Sequence, residues 1–168
     1  MMLTLLLQIR TQKSYTVAIV IPDLTNPVFP PIVRGVEHTL DAHGYNAILA
    51  DSGSKQRSEK GIIENMKARQ IDGLILATAR RKDPIVNDCI EEGIPLVLVN
   101  RTVDNHNVAA VINDDELGIE LALKHLIELG HRCIAYIGGP QNTSTGYTRY
   151  RTFLKMSKKL EITIACLF

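Results

Sequence analysis

The residues of this chain best suited to chemistry are carboxylates and arginines near the ends of predicted strands. Asp114, Asp115 and Glu116 are consecutive, and such a cluster could hold a metal ion or transfer protons. Helix capping explains the same cluster, because acidic side chains at a helix N-terminus accept backbone hydrogen bonds and complement the helix dipole. Arg101 and Arg149 carry planar guanidinium groups, which suit the binding of hydroxyl or carboxylate oxygens. These residue types favour ligand binding over catalysis.

Other catalytic and metal-binding patterns do not occur in the sequence. No histidine is separated from another histidine or from a cysteine by two intervening residues, a spacing common among metal ligands. No serine lies in a Gly-x-Ser-x-Gly elbow. Neither a Gly-x-Gly-x-x-Gly turn after the first predicted strand nor a phosphate loop is found. We therefore predict that the chain is not an enzyme, has no catalytic or metal-ligating residue and uses no cofactor.

The composition places limits on partners and location. A net charge of +1 over 168 residues, with basic and acidic side chains interleaved, gives no electrostatic footprint for nucleic acid. The three cysteines lie in apolar segments, so a reducing cytoplasm fits better than a disulfide framework. The apolar run Met1–Leu7 lacks the features of a signal peptide and is far shorter than the roughly 20 residues that span a bilayer. We expect a cytoplasmic protein with no membrane partner.

Apolar runs alternate with amphipathic helical segments along the whole chain. Because the apolar runs lack period-two alternation, they are typical of strands covered on both faces. Right-handed crossovers between such strands build an open sheet, so the sequence predicts the α/β class with a doubly wound parallel sheet. The predicted strands are Thr16–Ile21, Asn46–Ala50, Gly73–Ala77, Leu96–Asn100, Ala109–Ile112 and Cys133–Ile137.

Caps and glycines indicate where the helices begin and end. Asp83-Pro84 is typical of a helix start, Ser54 could cap another helix, and Asp114 or Asp115 could cap the fourth. His125 falls on the predicted buried face of the fourth helix, so we interpret it as a packed residue and not a ligand. That face is predicted to comprise Gly118, Leu121, Ala122, His125, Leu126 and Leu129.

Parallel sheets bind ligands beyond the carboxyl ends of their strands. This rule selects Asp51 after the second strand, and Asn100 and Arg101 after the fourth. Arg101 could contact a ligand or form a structural ion pair. Phe29, in the loop after the first strand, could stack on a sugar ring or base, or pack in the core. Further positions at strand ends are residues 23–26, Ser52, Gly53, Thr78, and Asn113 or Asp114.

Six segments of the chain occur in the order and at the spacing of one known family. They are Tyr15–Phe29 with its Asn-Pro-x-Phe loop, Arg34–Glu37, Ile71–Leu76, Gly93–Arg101, Leu126–Pro140 and Arg149–Phe153. Together, over residues 14–153, they resemble the effector-binding core of the LacI/GalR family of bacterial transcriptional regulators. The ordered set is specific, whereas any one of its short motifs would not be. The resemblance implies the periplasmic-binding-protein-like fold of type I.

The resemblance also implies a domain organisation. In that family two subdomains face each other, and the chain first crosses between them just after the strand that here ends at Val111-Ile112. On that basis residues 15–112 form most of the first subdomain and residues 113–168 only the opening of the second. Residues 1–14 are interpreted as a non-native segment or a remnant of the family's hinge. We expect a chain truncated at both ends, because no helix-turn-helix precedes this hinge.

A ligand contact at Arg149 is implied by the same resemblance, since this residue matches the arginine of the family's Arg-x-x-Gly-Phe pattern, with Thr152 in place of the glycine. The implied function is the binding of a small-molecule effector, expected to be a carbohydrate. The full-length family forms homodimers and binds operator DNA through an N-terminal domain. The complete expected ligand-binding set is Phe29, Asp51, Asn100, Arg101 and Arg149.

Three other interpretations stay open. A periplasmic sugar-binding protein of a transporter shares the fold, but the lack of a signal peptide and the hinge-like Arg10–Ser14 speak against it. An enzyme on a doubly wound sheet is opposed by the missing cofactor loops. A non-functional remnant would fit a truncated chain.

The segment 113–168 gives one further expectation. Only one strand, Cys133–Ile137, is predicted in it, which would leave strand edges without a partner. The tail Ile162–Phe168 is apolar. Because unpaired edges and exposed apolar surface promote association, we expect the chain to self-associate.

Overall fold

The computed structural model describes residues 13–53, 56–104 and 108–167, which form an α/β fold. The strands are β1 (Thr16–Ile21), β2 (Asn46–Asp51), β3 (Gly73–Leu76), β4 (Leu96–Val99), β5 (Ala109–Val111), β6 (Cys133–Tyr136) and β7 (Thr163–Leu167). The helices are α1 (Phe29–Ala42), α2 (Gln56–Ala68), α3 (Pro84–Glu91), α4 (Asp115–Glu128) and α5 (Ser144–Lys159). No helix in these described ranges is long and apolar enough to cross a membrane.

The described residues divide into two compact units. Unit 1 contains the residues up to Ala79 together with Asp83–Val99, and unit 2 contains Arg80–Lys82 and the residues from Asn100 onward. The sequence-based boundary between subdomains, at residues 112 and 113, lies further along the chain. The assignment of subdomains stays a prediction, as does the interpretation of residues 1–14, of which 1–12 lie outside the described residues.

Unit 1 is built on a parallel sheet in which the strands lie in the order β2-β1-β3-β4. In β1, Val17 lies opposite Ala47 of β2 and Gly73 of β3, and β3 in turn pairs with β4. Residues Ala18–Ile21 are all buried, so both faces of β1 are covered by other elements. Full burial explains why the apolar runs are continuous, and the predicted parallel α/β fold is confirmed.

One core cluster of unit 1 lies between β1 and α1. It contains Ile19, Ile21, Phe29, Ala77 and Val99, with Ile32, Val33 and Val36 of α1 packed against it. Full burial of a valine, isoleucine or phenylalanine side chain contributes about 1.5–3 kcal/mol relative to an exposed one. These contacts position α1 and the loop that precedes it.

Local sequence rules describe several helix ends correctly. The Asp83 side chain accepts a hydrogen bond from the backbone N–H of Ile85 (3.0 Å), with Pro84 in the first turn of α3. The Asp114 side chain likewise accepts from the N–H of Leu117 (2.8 Å) and caps α4. α1 begins at Phe29, beside the Pro30-Pro31 pair. The cap predicted at Ser54 lies outside the described residues.

Unit 2 packs α4 and α5 against β6 around a second core cluster. Leu123, Ile134, Phe153, Met156 and Ile162 are its buried members. The Phe153 ring stacks on Tyr136 with a centroid distance of 4.6 Å. Ile119, Leu126, Ile127 and Ile164 are partly buried against this cluster.

The predicted buried face of α4 is wrong for most of its members. Leu121 and Leu129 are 56% and 63% exposed, and His125 is also exposed. The helix instead buries Leu123 and partly buries Ile119, Leu126 and Ile127. α4 carries apolar residues on more than one side, so the helical period alone could not select the side that meets α5 and β6.

The expectation of a single strand in the segment 113–168 is also wrong. β7 pairs with β6 in parallel, with Cys133 opposite Thr163 and Ile134 opposite Ile164. Thr163 N–H also donates to the carbonyl oxygen of Arg132 (2.8 Å). The apolar residues that the sequence suggested to be a tail therefore supply the partner strand of β6.

Gly146, in the first turn of α5, is expected to be intolerant of a side chain. A Cβ atom at this position would overlap the carbonyl oxygen of Pro140, and the Gly146 N–H donates to the Thr143 side-chain oxygen that caps the helix (3.2 Å). Gly146→Ala should therefore lower the free energy of unfolding by about 1–3 kcal/mol, the usual cost of overpacking. Urea denaturation followed by circular dichroism measures this change.

Gly118 of α4 provides the matched control. A Cβ atom there would meet no other atom within 4 Å. Gly118→Ala should stabilise the chain by about 0.5–1 kcal/mol, because alanine favours helix more than glycine does. Equal stability changes for the two substitutions would contradict the overlap with Pro140.

Candidate functional site

A pocket with a volume of about 430 Å³ lies in unit 2, where the ends of several strands and helices meet. Its residues come from the segment after β4, the segment between β5 and α4, and the first turns of α4 and α5. Amide, hydroxyl and carboxylate side chains make up most of the lining. The lining residues are Asn100, Thr102, Ile112, Asn113, Asp114, Asp115, Glu116, Ser144 and Thr148.

Asn100 is held in the left-handed backbone region, with φ of 65°. Asparagine tolerates this conformation better than most residues that have a side chain. Its N–H donates to the carbonyl oxygen of Val111 (2.8 Å), and its side-chain oxygen accepts from the amide of Asn113 (3.3 Å). These two bonds hold one side of the pocket together.

The carboxylates at the start of α4 have distinct roles. Asp114 caps the helix, as described above. The Oδ1 atom of Asp115 accepts a hydrogen bond from Nε of Arg149 at 2.7 Å. The Asp115 side chain is 12% exposed and that of Arg149 is 47% exposed, so the pair is partly shielded from water. Glu116 is exposed at the pocket.

The first turns of α5 contribute hydroxyl groups. The Ser144 Oγ accepts from the backbone N–H of Thr102 (2.9 Å), which ties the segment after β4 to α5. Thr148 follows one turn later and lies on the same side of the helix. The pocket lining therefore combines two hydroxyls of α5 with the carboxylates at the start of α4.

A cluster around Arg81 fixes the start of α5. The Arg81 guanidinium binds Asp104 through two bonds of 2.9 Å, and its Cζ lies 3.5 Å from the centroid of the Tyr147 ring. The Arg81 N–H also donates to the carbonyl oxygen of Asn142 (2.9 Å). Because Tyr147 lies between Ser144 and Thr148 in sequence, these contacts restrain the helical turn that carries both hydroxyls.

The charges of Arg149 and Asp115 influence the pKa of Tyr136. Burial raises the pKa of the Tyr136 phenol above its usual value. The positive charge of Arg149 acts to lower this pKa, and the negative charge of Asp115 acts to raise it. The core of unit 2 is thus electrostatically coupled to the Arg149–Asp115 pair.

The structure places the five residues of the expected ligand-binding set in different surroundings. Asn100 lines the pocket, and Arg149 contacts the lining residue Asp115. Arg101 lies between two lining residues in sequence and is half-buried. Asp51 and Phe29 belong to unit 1. The proposed ligand contacts of all five residues stay predictions.

The two residues in unit 1 have clear local roles. Phe29 is 2% exposed and packs in the core cluster of unit 1, which is the packing role that the sequence left open. Asp51 accepts backbone hydrogen bonds from Leu24 and Gly53 at 2.8 Å each. Its carboxylate therefore connects the loops that follow β1 and β2.

Several lining residues were not predicted from the sequence. Thr102, Ile112, Ser144 and Thr148 carry no motif that marks them as ligand contacts. The spacing of Ser144 and Thr148 by four residues on one helix was the available indication, together with the rule that selected Asn113 and Asp114. Groups of three or more metal-binding side chains are not found among the described residues.

Parallel αβ units with a polar pocket beyond the strand ends are typical of α/β domains that bind small molecules. The family model described as periplasmic binding proteins and sugar binding domain of LacI family matches residues 14–164. The chain belongs to this family.

Named relatives agree with this assignment. The ribose operon repressor of Halalkalibacterium halodurans is 30% identical over 151 residues, which is 90% of this chain and 44% of the repressor. The Cra transcriptional dual regulator of Pseudomonas putida, solved in complex with fructose 1-phosphate, superposes with a TM-score of 0.83 at 24% identity, covering 92% of this chain and 57% of that one.

A third similar protein is a periplasmic binding protein/LacI transcriptional regulator from Alkaliphilus metalliredigens, solved with D-xylulofuranose. It superposes with a TM-score of 0.80 at 24% identity, over 92% of this chain and 57% of that one. At this identity the two solved structures show the fold alone. The chain spans less than half the length of the curated repressor.

Proposed function

We propose that this chain supplies part of the effector-binding core of a LacI-type transcriptional regulator, and that its effector is a carbohydrate. The pocket of unit 2 carries the proposal, because amides, hydroxyls and carboxylates converge there on a volume suited to a small ligand. Such groups exchange hydrogen bonds with the hydroxyls of a sugar. Arg149 would donate hydrogen bonds to the ligand at the edge of the pocket, through the guanidinium N–H groups that do not bind Asp115.

The other parts of the regulator are proposals as well. Operator recognition would belong to a DNA-binding segment outside the described residues. A helix-turn-helix needs consecutive helices, whereas helices and strands alternate within the described residues. Homodimer formation and a cytoplasmic location would follow from the same assignment. No catalytic step is proposed.

The periplasmic sugar-binding protein is the main rival, because the matching family includes both classes. The curated relative is named as a repressor of an operon, which supports the regulator. The enzyme and the non-functional remnant are distinguished by experiment: the first should turn over a substrate, and the second should bind no effector.

We expect the 168-residue chain to bind its effector weakly. All lining residues belong to unit 2, whereas binding sites usually bury 70–90% of a ligand's surface. Ligand hydroxyls that stay in contact with water contribute little to the free energy of binding. The dissociation constant should exceed about 10 μM, which corresponds to roughly 7 kcal/mol. Titration of the isotope-labelled chain with D-ribose and other neutral monosaccharides, followed by NMR, measures this affinity.

Arg149→Ala should weaken such binding at least about tenfold, which corresponds to 1.4 kcal/mol. Lys155→Ala is the matched control, because it removes a positive charge from an exposed position of the same helix. A dissociation constant below about 10 μM for the unaltered chain would contradict the expectation that the pocket buries too little of the ligand for tight binding. If no monosaccharide shifts the pocket resonances up to its solubility limit, the proposed function fails.

A further inference from the structure

The charges around the pocket of unit 2 are unbalanced. Asp114, Asp115 and Glu116 are carboxylates, and none of the nine lining residues in the described part is basic. The N-terminus of α4 offers only about half a positive charge from its macrodipole. Three full negative charges exceed this by a wide margin, so the lining as a whole repels anions.

Arg149 is a basic residue in direct contact with the lining, and its charge is already matched. Its Nε donates to Asp115 at 2.7 Å, and the low exposure of Asp115 limits screening of the pair by water. Charge-assisted bonds of this length are among the stronger hydrogen bonds in proteins. A ligand phosphate that approached Arg149 would have to compete with a carboxylate that is held in place by α4.

The remaining lining suits an uncharged ligand with many hydroxyls. Ser144 keeps its O–H free to donate after accepting from Thr102, and Thr148 adds a second hydroxyl. Glu116 can accept hydrogen bonds from ligand hydroxyls. Ile112 gives an apolar contact for the C–H face of a sugar ring.

We propose that Asp115 is a specificity-determining residue, which neutralises Arg149 and thereby makes the pocket accept uncharged polyhydroxylated ligands and reject sugar phosphates. This inference rests on the proposed function and narrows its ligand class. The fold alone does not decide the matter, because similar structures hold a sugar phosphate in one case and a sugar without phosphate in another. The residues of this chain decide it.

The experiment compares matched ligand pairs on the 168-residue chain. D-ribose is titrated against D-ribose 5-phosphate, and D-fructose against fructose 1-phosphate, with NMR shifts of the pocket resonances as the readout. The neutral member of a binding pair should bind at least about tenfold more tightly than its phosphate, a difference of 1.4 kcal/mol. In Asp115→Asn, which frees Arg149, this preference should fall at least tenfold.

Glu120→Gln is the matched control. It removes one negative charge from the same helix, where Glu120 pairs with Lys124 at 3.6 Å outside the pocket lining, and it should leave the preference unchanged. Glu116→Lys provides a second test that keeps the Arg149–Asp115 pair, and it should raise affinity for the phosphate about tenfold. This variant decides the question if Asp115→Asn does not fold, as judged by circular dichroism.

The outcomes separate this inference from the proposed function. If the phosphate binds the unaltered chain as tightly as the neutral sugar, the role of Asp115 is overturned and effector binding still stands. An unchanged preference in both folded variants would overturn it too. If no member of either pair and no other monosaccharide binds, the proposed function fails, and the specificity inference fails with it.

Discussion

Replacing Phe153 with alanine is expected to lower the free energy of unfolding by about 3–5 kcal/mol, the usual cost of truncating a buried aromatic side chain. Phe153 is 2% exposed, stacks on Tyr136 and lies at the centre of the unit 2 core with Leu123 and Met156. Its removal would leave a cavity between α4, α5 and β6. Because a domain is stable by only about 5–15 kcal/mol, this loss would leave unit 2 near its unfolding threshold.

Hydrogen exchange measured by mass spectrometry locates the effect. Peptides of α4, α5 and β6 should lose protection in Phe153→Ala, whereas Phe153→Leu should cost clearly less than Phe153→Ala because it keeps most of the apolar volume and loses mainly the stacking on Tyr136. Phe29→Ala is the matched substitution in the core of unit 1, and it should reduce protection in α1 and β1. Retained protection of α4 and α5 in Phe153→Ala would contradict the central place of this ring.

The second large effect expected is self-association of the chain at micromolar concentration. The reason drawn from the sequence holds only in part: β7 gives the apolar tail a partner in β6, but among the described residues this two-stranded sheet leaves one edge of each strand unpaired. The structure adds a second reason: Leu117 and Leu121 of α4 and Leu129, which caps its C-terminus, form an exposed apolar stripe. Exposed apolar surface of this kind is removed from water on association, with a gain of roughly 25 cal/mol per Å².

Size-exclusion chromatography with light scattering measures the mass in solution. The double substitution Leu121→Gln and Leu129→Gln should shift the chain toward monomer, because it makes the stripe polar without touching the core. Ile90→Gln is the control, since Ile90 is an exposed apolar residue on α3 of unit 1. A monodisperse monomer of the unaltered chain with cooperative melting would refute the expectation.

Much of the fold follows from the sequence alone because its causes are local. The six predicted strands lie within one residue of the observed ends, since a continuous apolar run between turns favours one buried strand. Asp83 and Asp114 cap helices as their positions predict, because the bonds that they accept come from backbone groups two or three residues away. The family follows from the order and spacing of the motifs.

Tertiary structure decided what depends on residues far apart in the chain. Arg149 meets Asp115 across 34 residues of sequence, and the pocket joins residues from Asn100 to Thr148. The sequence named Asn100 and Arg149 as site residues, but it could not show that a carboxylate neutralises the arginine. Such pairings depend on how the helices pack, which local patterns leave open.

The sequence by itself therefore determined the strands, the caps and the family, whereas packing decided the sides and partners of these elements. α4 has apolar residues around much of its surface, and contact with α5 and β6 selected Leu123 over Leu121 for the core. Phe29 lies in the core because β1 and α1 close over it. β7 is a strand because β6 offers it a hydrogen-bonding edge. In each case a short apolar pattern permits more than one environment, and only the burial available in the folded chain chooses between them.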